Sequence, residues 1–236
     1  MKTLTASFSF LFLLCLSNVS TAHNLWLLVE PNDEGEDEIR LFFEHSPEPG
    51  TGEYNEPIAM RGRTWIRTQE TAAPLAVNLE EVVRDGKKFH VGNTSTTSPR
   101  SVEHSCLWGV YGGRLDRFYG KYIDARTGEE LNALARAERL SLDLVPQIAD
   151  EQLEIQLLWQ GEALPNRTIF VWTPEGEVLQ IRTDQSGKAV AACDQEGLYF
   201  FTTVFFVDDV TGSFEGENFD GKMYGTTLTL RWPLEQ

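Results

Sequence analysis

Leu153-Glu154-Ile155-Gln156-Leu157 is the stretch that decides the fold, because apolar and polar residues alternate strictly along it. Successive side chains of a β-strand point to opposite faces, so this alternation indicates a strand with one face in a core and one in solvent. The same alternation precedes it at residues 140–146, and the turn-forming run Gln160-Gly161-Glu162 follows it. The chain around this stretch is therefore predicted to be β structure.

The rest of the C-terminal half repeats this pattern of short strands separated by turns rich in glycine, proline and acidic residues. The predicted strands cover residues 168–172, 178–181, 188–192, 198–207 and 226–232. Short strands at such regular spacing are typical of a Greek-key sandwich.

The N-terminal half also consists mostly of strand patterns, and one helix separates the two halves. Its predicted strands cover residues 25–29, 39–43, 64–68, 76–79, 88–91 and 102–110. Thr127-Gly128-Glu129-Glu130 opens the helix, which ends near Arg139. The sequence thus predicts an all-β protein of two Ig-like, Greek-key β-sandwich modules, residues 23–140 and 141–236, with one short helix between them.

Residues 1–22 have the pattern of a cleavable signal peptide. Lys2 precedes an apolar run at residues 8–16, and Ser20-Thr21-Ala22 forms a small-x-small cleavage signal. We expect the cut between Ala22 and His23, and a periplasmic or secreted mature protein. No later apolar stretch approaches the roughly 18–20 residues that span a bilayer, so we expect no membrane insertion after cleavage.

Cleavage at this point would make His23 the first residue of the mature chain. Its free α-amine and its imidazole could then close a chelate ring on a transition-metal ion, which an internal histidine cannot do. The alternative is a frayed terminus whose identity is accidental.

The chain is strongly acidic, and this excludes some partners. The full sequence has 20 basic and 36 acidic residues, a formal charge of −16, and removal of residues 1–22 takes away Lys2 and no acid, giving −17. Nucleic acid and anionic lipid would be repelled by such a charge. This negative charge suits a protein that binds cations. The alternative is that the charge only keeps an exported protein soluble.

Two cysteines remain after cleavage, Cys106 and Cys193. In an oxidising compartment such a pair is often a disulfide, which here would join the two halves. Two buried free thiols are the alternative.

Several short motifs, taken in order, resemble a family of exported bacterial proteins labelled nickel-uptake-associated, or the substrate-specific component of nickel or cobalt uptake. Ala22-His23-Asn24-Leu25-Trp26-Leu27-Leu28-Val29-Glu30-Pro31 is similar to that family's mature start, with one extra residue before the proline. Phe42-Phe43-Glu44-His45 is similar to its strand ending in histidine. Residues 142–146, 161–165 and 183–187 resemble its second domain. The last of these turns also occurs in carboxypeptidase-regulatory-like and transthyretin-like sandwiches.

This resemblance implies a role in nickel or cobalt uptake, with a membrane transporter component as a partner. The chain itself is not expected to be the transporter, and fold alone does not establish function.

Three of the four histidines are candidate metal ligands: His23, His45 and His104. His45 ends a strand expected to lie beside the first one, within reach of His23, or it is only a polar strand end. Alternation puts His104 on the same face as Cys106, which suits either a metal site or a buried histidine. His90 is expected to lie on the surface.

Nitrogen ligands favour nickel, cobalt, copper or zinc over calcium or magnesium. The affinity order of divalent ions prefers copper, whereas the resemblance prefers nickel, and the sequence leaves both open. No nucleophile elbow, zinc-protease pair or phosphate-binding glycine loop is present, so we expect no catalysis.

The leading hypothesis is therefore an exported, non-catalytic protein that binds a transition metal for its uptake or handling. An adhesive or scaffold module that contacts protein or glycan is the alternative. A copper-dependent oxidative enzyme is a third.

Overall fold

The computed structural model describes residues 23–69 and 73–234. The predicted signal peptide lies outside the described residues. Within the described part of the chain, no helix is long and apolar enough to cross a membrane.

Strands dominate both halves of the chain, which confirms the all-β class. The strands of the N-terminal half are β1 (Asn24–Pro31), β2 (Asp37–Glu44), β3 (Gly62–Thr68), β4 (Leu75–Val77), β5 (Glu80–Arg84), β6 (Lys87–Asn93), β7 (Arg100–Tyr111) and β8 (Arg114–Asp124). Those of the C-terminal half are β9 (Leu142–Ala149), β10 (Gln152–Trp159), β11 (Glu162–Ala163), β12 (Thr168–Trp172), β13 (Val178–Arg182), β14 (Lys188–Ala191), β15 (Gly197–Phe214) and β16 (Glu217–Trp232). The alternating stretch lies in β10, where Leu153, Ile155 and Leu157 are all buried.

Among the described residues, two short helices accompany the strands, α1 (Glu56–Arg61) and α2 (Gly128–Leu134). α2 is the predicted helix, and a capping box opens it: Glu130 N–H donates to the Thr127 hydroxyl, and the Glu130 carboxylate accepts from Thr127 N–H. α1 was not predicted. It is only six residues long and begins with Pro57 in its first turn, inside a segment whose composition is typical of a loop.

The strands of the described part of the chain form three sheets, and the largest is shared by both halves. This central sheet has eight strands in the order β13-β12-β15-β16-β8-β7-β3-β4. Strands β1, β2, β6 and β5 form the N-terminal sheet, and β11, β10 and β14, with β9 along β10, form the C-terminal sheet. β16 pairs with β8 in parallel, from Gly221 opposite Arg114 to Leu230 opposite Ile123, and this joins the two halves.

The two smaller sheets pack on opposite faces of the central sheet. On β8, Phe118 and Tyr122 pack with residues of the N-terminal sheet, whereas Tyr119 and Ile123 pack with residues of α2 and the C-terminal sheet. The architecture is therefore a shared sheet between two smaller ones, and not two separate sandwiches. Edge-to-edge pairing of β16 with β8 satisfies backbone groups that two separate modules would leave exposed. The division at residues 140 and 141 stays a prediction, but the central sheet runs across it.

β1 crosses the strands of the central sheet and so fixes where its own first residues lie. Thr202 on β15 donates its hydroxyl to Asn24 Oδ1 at 2.7 Å, and Thr227 on β16 donates to the Leu25 carbonyl at 2.6 Å. Further along, a Cβ at Gly120 on β8 would stand 3.1 Å from Leu27 Cβ. Successive residues of β1 thus pass over successive strands, as in orthogonal sheet packing.

Candidate functional site

His23 and His45 lie side by side at one end of the N-terminal sheet. The pairing of β1 with β2 begins with Asn24 opposite Glu44, so the next residue on each side of this pair is a histidine. Their ring centroids are 3.7 Å apart, with the ring planes inclined by 39°. The structure thus brings together two of the three predicted ligands, as strand pairing predicts. Their role as ligands stays a prediction.

Aromatic side chains surround the His23 ring. Phe43 stacks with it at 5.3 Å between centroids, and Tyr54 meets it edge-on at 4.8 Å. Phe43 in turn packs on Trp108 at 3.9 Å and on Phe118 at 4.8 Å. These contacts seat the His23 ring on one side of an apolar floor formed by Phe43, Trp108 and Phe118.

Arg61 at the end of α1 holds one part of this floor in place. Its guanidinium donates to the Leu107 carbonyl at 2.9 Å and to the Trp108 carbonyl at 2.6 Å. The pairing of β7 with β8 shifts register between Leu107 and Gly109, so the carbonyls of this bulge would otherwise lack regular ladder partners. α1 therefore positions Trp108 under Phe43.

Two carboxylates stand near the histidine pair. The Glu44 side chain is enclosed by the loop that follows it, and Gly52 N–H donates to its Oε1 at 3.3 Å. Burial lowers the pKa of His23, and the neighbouring His45 lowers it further, while Glu44 and Glu53 act in the opposite direction. The His23 imidazole is therefore in its neutral, metal-binding form at neutral pH, with negative charge close by.

Two imidazoles that bind a single ion stand farther apart than these two rings, whose centroids are separated by 3.7 Å. A metal–nitrogen bond of about 2.0–2.1 Å places the centroids of two adjacent imidazole ligands roughly 4–5 Å apart, so a small opening of the two rings would admit an ion. The α-amine of a cleaved chain would be the third nitrogen. Among the described residues, no group of three or more histidine, cysteine or acidic side chains is arranged to hold a metal, so these two imidazoles need that amine or solvent to complete a site.

His104, the third candidate ligand, lies apart from His23 and His45 and is buried, as one of its two predicted alternatives has it. It sits in the interior of β7, 1% exposed, with its Nδ1 2.7 Å from the Thr64 hydroxyl oxygen. It lines a cavity together with His90. The reason is that β7 lies in the central sheet between β3 and β8, so a side chain in its middle cannot reach the end of the N-terminal sheet.

His90 is buried, so its predicted surface position is wrong. β6 lies between β2 and β5, and His90 is 1% exposed. A strand in the middle of a sheet can have one of its faces completely buried. The short sequence pattern around His90 did not indicate which face is buried.

Cys106 and Cys193 are free thiols in the structure, so no disulfide joins them there, and the alternative of two buried thiols fits Cys106 but not Cys193, which is only partly buried. Cys106 follows Val102 and His104 on the face of β7 that packs toward the N-terminal sheet, and its thiol donates to the Pro57 carbonyl at 3.3 Å. Cys193 packs against the core on the opposite face of the central sheet. The sheet itself separates them.

Tyr54, Glu53 and the floor residue Trp108 were not predicted as part of the site. Tyr54 and Glu53 lie in the loop rich in proline, glycine and acid, where no periodicity indicates which side chains turn inward. In the sequence, Trp108 stands out only as an aromatic residue two positions after Cys106. Such a residue indicates packing in the core just as well as a place in a site.

No family model matches this chain, and no curated protein matches it either.

Proposed function

We propose that this protein is exported, is cut between Ala22 and His23, and binds a divalent transition-metal ion through His23 and His45. Its role would be uptake or handling of nickel, cobalt or copper, without catalysis. The observation that carries the proposal is the 3.7 Å separation of the two imidazole centroids at the position where a free amine would arise.

Charge and packing support this proposal. The mature chain carries a formal charge of −17, the value of −16 less Lys2, which raises the local concentration of cations. Glu44 and Glu53 supply part of that charge beside the histidine pair. The aromatic floor under His23 restricts its ring, so little side-chain entropy remains to be lost when an ion binds.

Two arguments bear on the identity of the ion, and they favour different ions. The affinity order of first-row divalent ions favours copper for an all-nitrogen site. The resemblance to nickel-uptake-associated proteins favours nickel or cobalt, with a membrane transporter component as the partner that receives the ion. Competition among the three ions at one site decides between these arguments.

The test is calorimetric titration of Ni²⁺, Co²⁺ and Cu²⁺ into protein recovered from the exporting host, with its N-terminal sequence and native metal content measured on the same sample. We expect His23→Ala and His45→Ala each to weaken binding by at least roughly tenfold, or 1.4 kcal/mol. The matched control is a chain with Gly-Ser added before His23, which keeps both imidazoles and removes only the amine.

This extended chain should also lose at least roughly tenfold in affinity. Equal binding by the extended and the processed chains would refute the amine chelate. A chain that begins elsewhere than at His23 and carries no metal would favour the adhesive or scaffold alternative.

A further inference from the structure

A cavity of about 350 Å³ lies between the central sheet and the N-terminal sheet, away from His23 and His45. It is bounded by β3, β6, β7 and the connection between β4 and β5. His90 and His104 line it, together with Gly62, Thr64 and Asn78. Both histidines are 1% exposed, but exposed residues such as Asn78 also line the cavity, so it is partly open to solvent while the histidines themselves are buried.

Three ring nitrogens in this cavity are buried without a hydrogen-bond partner among the described residues. They are Nε2 of His104 and both Nδ1 and Nε2 of His90. A buried polar group without a hydrogen-bond partner lowers the stability of the folded state by about 1–3 kcal/mol. Two such imidazoles facing one cavity double this cost. Such a site is stable when something in the cavity bonds to the nitrogens.

The bond between His104 and Thr64 leaves Nε2 of His104 available as a ligand. Its Nδ1 is 2.7 Å from the Thr64 hydroxyl oxygen, so Nδ1–H can donate there while Nε2 presents its lone pair. A histidine ligand is typically fixed by such a bond from its other nitrogen. The His104 ring packs closely on Gly62, because a Cβ at Gly62 would stand only 2.8 Å from His104 Cε1 and 2.9 Å from Nε2.

Both imidazoles are neutral at physiological pH. Burial lowers the pKa of His104 to about 3, and a positive charge on His90 would act in the same direction. Burial lowers the pKa of His90 as well. The nearby Glu81 raises this pKa, and Lys88 lowers it. Neutral imidazole is the form that ligates metals.

We infer that His90 and His104 form an internal site for a cuprous ion, with one ring nitrogen from each as a ligand. The cavity lining contains no carboxylate, and the exposed side chain of Arg63 adds a positive charge to it. The Born cost of burying an ion rises with the square of its charge, so a monovalent ion suits this lining far better than a divalent one. Cu(I) can also be held by only two ligands, whereas zinc requires about four. This site is independent of the His23 amine and of the proposed function.

The test uses the double variant His23→Ala/His45→Ala, so that only the internal site remains. Cu(I) is added without oxygen, in competition with a coloured chelator, and Zn²⁺ is titrated in parallel. We expect one equivalent of Cu(I) to bind and Zn²⁺ to bind at least roughly tenfold more weakly. His90→Leu and His104→Leu, which keep apolar volume and remove the nitrogens, should each abolish Cu(I) binding.

Cys106→Ala and Cys193→Ala are the matched controls, because free thiols also bind Cu(I). Each should keep the bound ion. Loss of Cu(I) binding in either cysteine variant, with binding retained in the two leucine variants, would overturn the inference. So would an absence of Cu(I) binding in the double variant, which would mean that water fills the cavity.

A measurement without substitutions covers the case in which the leucine variants fail to fold. Cu(I) is diamagnetic, so the ring nitrogen resonances of His90 and His104 can be followed by NMR in the unmodified protein. One equivalent should shift a single nitrogen of each ring, Nε2 for His104. Thr64→Val should weaken binding by roughly 10–100-fold, because it frees the ring that Thr64 fixes. If the ring nitrogen resonances of the unmodified protein do not shift when Cu(I) is added, the proposed site is wrong.

Discussion

Lys121 and Asp143 form an ion pair inside the protein, with side chains only 1% and 4% exposed. Lys121 lies on β8 of the N-terminal half and Asp143 on β9 of the C-terminal half. Lys121 Nζ also donates to the Ala135 carbonyl at 2.5 Å, and Asp143 Oδ2 accepts from Ala137 N–H at 2.8 Å. The pair therefore ties both halves to the segment that follows α2.

Removal of one partner should destabilise the protein strongly. Burial raises the pKa of Asp143 and Lys121 opposes this, so Lys121→Met leaves a carboxylate buried without its counter-charge. We expect a loss of about 3–5 kcal/mol in the free energy of unfolding, measured with urea. Lys121→Met/Asp143→Leu should lose less than the single variant, because no buried charge remains.

The control for this measurement is the exposed pair of Lys88 and Glu81, whose side chains are 37% and 38% exposed. Lys88→Met should cost less than about 1 kcal/mol, since solvent screens such a pair. A Lys121→Met variant no less stable than this control would contradict the role of the buried pair.

Asp116 should make stability fall as the pH rises. Burial raises its pKa to about 7, against the opposing effect of Arg114. Between about pH 4 and 7 the folded chain keeps a proton that the unfolded chain has released, so the folded state is favoured at the acid end of this window. That advantage is lost as the pH rises through 7.

Asp116→Asn should remove this part of the pH dependence, which amounts to about 4 kcal/mol at most. The measurement compares urea unfolding of both proteins at several values from pH 4 to 8. Asp143 contributes a slope of its own to both proteins, so the difference between them is the observable. Superimposable profiles would show that Asp116 ionises normally.

The fold class could be predicted from the sequence because local alternation reports directly on strands. The strict period in Leu153–Leu157 indicates β10 without reference to any other part of the chain. The neighbourhood of His23 and His45 was also predictable, since two consecutive strands usually pair, and pairing places their ends together.

The shared central sheet could not be predicted in the same way. Parallel pairing of β16 with β8 joins residues about a hundred positions apart, such as Gly221 and Arg114, and no local pattern encodes such a partner. The same limit applies to His90 and His104. Each lies in a short strand pattern, and only the packing of the N-terminal sheet on the central sheet brings both to one cavity.

Gly225 should be intolerant of a side chain because Phe118 covers it. A Cβ at this position would stand 2.6 Å and 2.8 Å from Phe118 Cδ1 and Cε1, closer than packed atoms approach. Phe118 supports Phe43, so its displacement would disturb the floor beneath His23. We expect Gly225→Ala to cost about 1–3 kcal/mol in the free energy of unfolding and to change the near-ultraviolet circular dichroism.

Gly221→Ala is the matched control on the same strand, since its nearest neighbour is Arg114 Cγ at 3.4 Å. It should cost less than Gly225→Ala and leave the aromatic signal unchanged. Equal effects of the two substitutions would mean that Phe118 moves aside freely.

If the protein is exported as proposed, Cys106 and Cys193 should remain thiols even in an oxidising compartment. The central sheet separates them, and burial raises the pKa of both thiols to about 12. The thiolate is the reactive form, so a thiol reagent at pH 8 should react at least roughly tenfold more slowly with the native protein than with the protein in denaturant. The intact mass should correspond to two thiols, and a reductant should leave the unfolding temperature unchanged. A mass lower by two hydrogens that a reductant restores would mean that the two cysteines are joined, which requires a different arrangement of β7 relative to the loop after β14.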